Sequence, residues 1–129
     1  MQPAFLDFGR VFYYNEKKER DFVTVNEYQQ LAMTTLNPAL SQKDVLINGV
    51  MGLCGESGEA IDIVKKHLAQ GHELDREGLI KELGDVAWYL AETAYALDVP
   101  LEEVLQRNIH KLKKRYPEGF DTNRSLHRE

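Results

Sequence analysis

Four carboxylates stand in two pairs at helical spacing, Glu56/Glu59 and Glu82/Asp85, within residues 52–85, GLCGESGEAIDIVKKHLAQGHELDREGLIKELGD. Four such oxygen donors gathered in one groove suit a hard divalent cation, Mg²⁺ first and Mn²⁺ as its substitute. Without a cation between them, like charges a few ångströms apart repel and raise one another's pKa. Acid pairs three residues apart recur at Glu16/Glu19, Glu59/Asp62 and Glu118/Asp121. Placement, not number, therefore has to carry the argument.

Placement depends on two helices. On helical wheels, the first has an apolar stripe of Leu46, Val50, Leu53, Cys54, Ile61, Val64 and Leu68. The second has Leu79, Leu83, Val86, Leu90, Ala94 and Leu97. Glu56 and Glu59 fall on one flank of the first stripe, beside Gly52 and Ile63. Glu82 and Asp85 fall on the same rotational flank of the second, beside Tyr89. The connection 67–75 is short and contains Gly71, which predicts antiparallel helices. Matching flanks of an antiparallel pair point to the same side. Both acid pairs also lie equally far from the turn, so they sit level. Spacing alone favours two solvated acidic faces; the shared flank and level bring the metal reading up to equal standing.

A chain of 129 residues fits one domain. Its net charge of −5 argues against gripping a DNA or RNA polymer through phosphates, and leaves room for a small anion met by local cations and metal. No apolar run approaches membrane-spanning length. The start, MQPAFLDFGR, lacks the basic region and apolar core of a signal peptide, and a cytoplasmic location follows. The single cysteine, Cys54, excludes an internal disulfide and reads as a buried, inert thiol.

In chain order, residues 1–23 form an N-terminal arm with an aromatic run and the charge run EKKERD. Thr24 and Glu27 make a capping box opening a first helix, with Val25, Tyr28, Leu31, Ala32, Thr35 and Leu36 facing inward. Asn37-Pro38 stops it. Ser41 caps a second helix over 42–67, whose Gly49, Gly52, Gly55 and Gly58 predict close approach of another helix or a ligand. Within it, Asp62 and Lys66 pair on the surface. A third helix covers 75–97; Trp88 lies opposite its stripe, which points to a subunit interface.

Pro100 opens a fourth helix with a stripe of Leu101, Val104, Leu105, Ile109 and Leu112. Along its edge stand Asn108, Lys111 and Arg115, Asn108 within the apolar arc. Two readings stay open: snorkelling cations with a hydrogen-bonded core Asn, or a phosphate-binding row facing the acids. Pro117 ends that helix, and the polar tail after it reads as irregular, with Phe120 docking. The histidines show no ExxH pairing with the acids, which weakens a ferritin-like di-iron centre.

GESGE followed by KELGD resembles the ExxE and ExxD motifs of the MazG-like nucleotide pyrophosphohydrolases, an all-α superfamily. Asn108 to Lys111 and the run RYPEGF ending at Phe120 are similar to the family's N-x-x-K and RYP-x-GF signature. The resemblance runs from about Val25 to Phe120. It implies an all-α, four-helix bundle-like fold with an antiparallel central pair, over 24–120, between the arm 1–23 and a tail 121–129. It also implies a Mg²⁺-dependent enzyme cleaving a nucleoside triphosphate to monophosphate and pyrophosphate, with a house-cleaning role in nucleotide pools. On it, Glu56, Glu59, Glu82 and Asp85 hold the metal, with Glu56 and Glu59 placed in catalysis. Asn108, Lys111 and Arg115 contact phosphates with Tyr116 beside them, and the chain assembles as a homodimer or homotetramer. Phosphoribosyl-ATP pyrophosphohydrolase is the near alternative, and RYPEGF favours the MazG-like branch. A non-catalytic helical metal-binding or interaction module is the alternative outside enzymes. Lys111 and Arg115 turned toward the acids favour the enzyme; turned away, the module.

Overall fold

The computed structural model describes residues 23–127, and every regular element among them is helical. The aromatic and charged segments assigned to the N-terminal arm lie outside the described residues, save for Val23. The elements are α1 (Val25–Met33), α2 (Gln42–Gln70), α3 (Arg76–Ala96), α4 (Leu101–Arg115) and α5 (Thr122–Leu126).

Local chemistry sets the boundaries. Thr24 and Glu27 complete the capping box of α1, with Glu27 N donating to Thr24 Oγ1 at 3.2 Å and Thr24 N to Glu27 Oε2 at 2.8 Å. Ser41 caps α2 by accepting from Asp44 N, and α2 runs one turn past the expected end at 67 to Gly71. Gly71 closes it with φ 73°, the left-handed C-terminal cap that glycine adopts without penalty. Asp75 caps α3 from Gly78 N at 2.8 Å. In α4, Glu102 and Glu103 sit in the first turn and Lys113, Lys114 and Arg115 in the last, in the favourable sense of the helix dipole. The tail expected to be irregular forms the short α5, because Asp121 accepts from Arg124 N at 2.8 Å and caps it. Phe120 does not dock on the bundle: it is 76% exposed and leans on the Tyr116 ring.

The central element is the antiparallel α2–α3 hairpin, the most extensive helix contact in the molecule. Its seam is not made by the expected leucine-rich stripes. A side chain at Gly52 would collide with the Tyr89 ring and one at Gly49 with Thr93, so the two bare backbones admit α3 directly. Gly55 and Gly58 face open space. The stripe read as the core side of α2 looks outward instead: Ile61 is 62% and Leu68 77% exposed, and Val50 and Cys54 are exposed as well. Cys54 is therefore not a buried thiol. Leu83, Leu90 and Leu97 of α3 and Leu105, Ile109 and Leu112 of α4 are likewise exposed.

The core lies across the other side of α3, where α1 and α4 pack. It consists of Ala32, Met33, Ala91, Ala94 and Leu101, with Tyr28, Leu36, Trp88 and Tyr95 against it. Trp88, expected to stand exposed, is half-buried against this layer: its Nε1 donates to Ala32 O at 3.2 Å and Thr35 Oγ1 at 2.9 Å. Gln29 is buried and fastens three elements: its Nε2 donates to Ala91 O and Val99 O, both at 3.3 Å, and its Oε1 accepts from Leu101 N at 2.8 Å. These bonds satisfy the backbone of the turn between α3 and α4, which an apolar residue at 29 would leave unpaired.

Candidate metal centre

The carboxylates continue the seam toward the hairpin turn. One turn along α2 from Gly52 stands Glu56, and one turn back along α3 from Tyr89 stands Asp85. One oxygen each from Glu56, Glu82 and Asp85 lies within 4.8 Å of the other two. Glu56 and Glu82 are half-buried and Asp85 is exposed. The acids are brought together because the glycines draw the two backbones close and the antiparallel register sets them level. The flank that carries them, not the leucine-rich stripe beside it, forms the seam at that end.

Burial, a hydrogen bond that the protonated Glu82 carboxyl donates to Glu56, and the charges of Glu56, Asp85 and Glu59 all push Glu82 above its ordinary value of 4.5. Glu59 stands outside the trio, near enough for its charge to act on both Glu82 and Lys66. Among the described residues no lysine or arginine neutralises the trio. The ion pairs there lie elsewhere, with Lys65 and Lys66 (2.7 Å) on Asp62 and Arg107 on Glu103. Asp62 drops to about 2 under its two lysines, which shows by contrast what the trio lacks. An all-oxygen donor set whose carboxyls crowd one another, with no cationic side chain among them, fits a hard divalent ion.

Asn108, Lys111 and Arg115 are placed differently. They line α4, which packs on α1 and α3, and no hydrogen bond or ion pair among the described residues joins them to the carboxylates. Asn108 is exposed and not a core amide. The Arg115 guanidinium lies 5.9 Å from the centroid of the Tyr116 ring, itself 5.6 Å from the Phe120 ring.

Two neighbours of the trio gain rank from the structure. Tyr89 seats its ring on Gly52, one turn from Asp85, edge-on to Trp88 with centroids 5.0 Å apart. Tyr28 stands on α1, which packs on α3; its phenol is pushed up by burial and then by the charge of Asp85. The sequence places Tyr28 on the inward face of the first helix and Tyr89 beside the second acid pair, without assigning either a role at the site. Further from the trio, Asn48 and Glu92 pair across the seam. Their signal was present in the sequence, since Glu92 lies seven residues from Asp85 and so on the same face of α3.

Residues 48–120, more than half of the chain, match the family model described as the MazG nucleotide pyrophosphohydrolase domain. Over 73 residues the chain is 47% identical to the Gene 37 protein of Mycobacterium phage L5, covering 54% of this chain and 64% of that protein. The match thus spans less than two thirds of that relative's length. No solved structure matches.

Proposed function

From the premise that this chain belongs to the MazG nucleotide pyrophosphohydrolase domain family, we propose that it is a Mg²⁺-dependent hydrolase. It cleaves a ribo- or deoxyribonucleoside triphosphate to the monophosphate and pyrophosphate. The observation that carries this reading is the trio of Glu56, Glu82 and Asp85, with no lysine or arginine paired to it among the described residues.

In this mechanism Glu56, Glu82 and Asp85 hold the cation. When bound, it offsets charge on the phosphate oxygens and favours ionisation of the attacking water. Glu59, outside the trio, is the carboxylate we assign to take the proton from that water. Lys111 and Arg115 meet the phosphate tail once substrate is seated, with Asn108 donating a neutral hydrogen bond and Tyr116 flanking them. The half-buried positions of Glu56 and Glu82 reduce competition from bulk water. Exposed apolar faces on α2, α3 and α4 suit association with further copies as a homodimer or homotetramer.

The test is product analysis with a panel of canonical and modified nucleoside triphosphates, with Mg²⁺, Mn²⁺ or EDTA. Equal amounts of pyrophosphate and monophosphate are expected with either metal, and none with EDTA. The pH profile carries a sign. Because Glu82 is pushed up, protons compete with the cation from a higher pH than an ordinary carboxylate allows. Metal-dependent turnover should therefore begin to fall above the ordinary carboxylate range as the solution is acidified. Orthophosphate in place of pyrophosphate would refute the reaction.

One observation favours a second reading: Lys111 and Arg115 do not bond to the acids within the chain. A helical module that binds metal without turnover is consistent with that, and it predicts Mg²⁺ binding with no product across the panel.

A further inference from the structure

Glu92 is a fully buried carboxyl, 0% exposed, two turns from Asp85 on the seam side of α3. Both of its oxygens accept from one donor across the seam, Asn48 Nδ2, at 2.9 and 3.0 Å. Burial pushes the carboxyl above its ordinary value of 4.5, against the effect of the Asn48 bond. Such a polar pair adds little net stability, since apolar residues of similar shape in its place are often neutral or stabilising. Glu92 is the buried member and Asn48 reaches it from the exposed edge of the seam, so a packing that moves Asn48 away strands the carboxyl and is disfavoured.

The rest of the seam discriminates poorly. Gly49 and Gly52 are neighbouring bare seats one turn apart, one against Thr93 and the other against the Tyr89 ring, and a slide by one turn would offer the ring a second seat without a side chain. Slide α2 so that Gly49 takes the place of Gly52. Val45 then takes the place of Asn48, and Glu92 faces a methyl group. The same slide replaces Glu56 with Leu53 opposite Asp85, and the carboxylate trio is gone. In the opposite direction Met51 or Gly52 stands before Glu92, and neither side chain has a donor. Only the observed register gives the buried carboxyl an amide.

We propose that Asn48 and Glu92 are a positioning pair that fixes the register of α2 against α3 and so holds Glu56 level with Asp85. The consequence for metal binding rests on the function proposed above; the register itself does not.

The test is proton NMR of the full chain. The Gly52 α-protons lie against the Tyr89 ring, and their cross-peaks and ring-current shifts report the register directly. Mn²⁺ affinity is measured alongside. In Asn48→Leu/Glu92→Leu the helices persist and the melting temperature does not fall. Yet the Gly52–Tyr89 signals weaken or split into two sets, and Mn²⁺ affinity falls about tenfold or more, as for removal of groups that orient metal ligands. Glu92→Gln keeps an acceptor for Asn48 and a single set of signals. Asn48→Asp places two carboxylates face to face and disturbs the contact. Adding Glu92→Gln to it restores the contact with donor and acceptor exchanged, and this comparison decides the matter if the double leucine variant does not fold. An undisturbed single set in the folded double leucine variant, or in Asn48→Asp, overturns the proposal. A shifted register with unchanged Mn²⁺ affinity leaves the positioning pair standing and removes the metal reading instead.

Discussion

Glu59→Gln is expected to lower kcat by about 10² to 10⁴-fold, the range for loss of a general base, while Mn²⁺ binding and helical circular dichroism stay close to those of the unmodified protein. The reason lies in position. Glu56, Glu82 and Asp85 form the cluster that can share one ion, and Glu59 does not belong to it. Its charge nevertheless reaches Glu82, so it lies at the edge of the same site. An amide at 59 preserves size and hydrogen bonding but cannot take a proton at neutral pH. Glu56→Gln should behave differently, losing metal affinity and turnover together. Metal-binding isotherms and steady-state kinetics on both variants make the comparison. Full activity in Glu59→Gln would remove it from catalysis, and loss of Mn²⁺ binding there would make it a fourth ligand.

The second large effect concerns the backbone contact that draws the acids together. A Cβ at residue 52 would lie 2.1 Å from both Cδ1 and Cε1 of Tyr89 and 2.5 Å from its Cγ. The clash involves the root of the ring as well as its edge, so turning the ring about its own axis does not relieve it. Gly52→Ala should therefore force the helices apart, at a cost of about 1–3 kcal/mol for overpacking. It should also weaken Mn²⁺ binding, because Glu56 and Asp85 flank the displaced contact. Gly55→Ala is the control. Nothing lies within 4 Å of a Cβ there, and alanine should stabilise α2 by up to about 1 kcal/mol through helix propensity. Urea denaturation of the two variants reads the difference. Equal stability of Gly52→Ala and the unmodified protein would mean the seam is looser than described.

Legibility in the sequence followed the range of the forces involved. Caps at Thr24 and Ser41 and the short connection with Gly71 are local, and they located the helices to within a turn. The acid pairs came out level because antiparallel geometry and a short turn leave little freedom. The seam was misread for one reason. A helical wheel finds the most apolar face, but it does not say what covers that face. On α2 that face, with Ile61 and Leu68, looks outward; the face toward α3 is built from glycine and acid, whose attraction is backbone proximity rather than hydrophobicity. Trp88 and Cys54 were misplaced along with it, since each was judged relative to the wrong face. The five residues of α5 are too few for periodicity to register. Where Lys111 and Arg115 point depends on which helices α4 meets, and no spacing along α4 encodes that.

The most direct test of the central claim is a titration with Mn²⁺ at neutral pH, following free ion by electron paramagnetic resonance, for the unmodified protein and for Asp85→Asn. A trio that shares an ion predicts saturable binding in the unmodified protein and its loss on removing one of three charges, with the helical spectrum unchanged. Equal binding by both proteins, or no saturable binding by either, would contradict a metal centre at Glu56, Glu82 and Asp85.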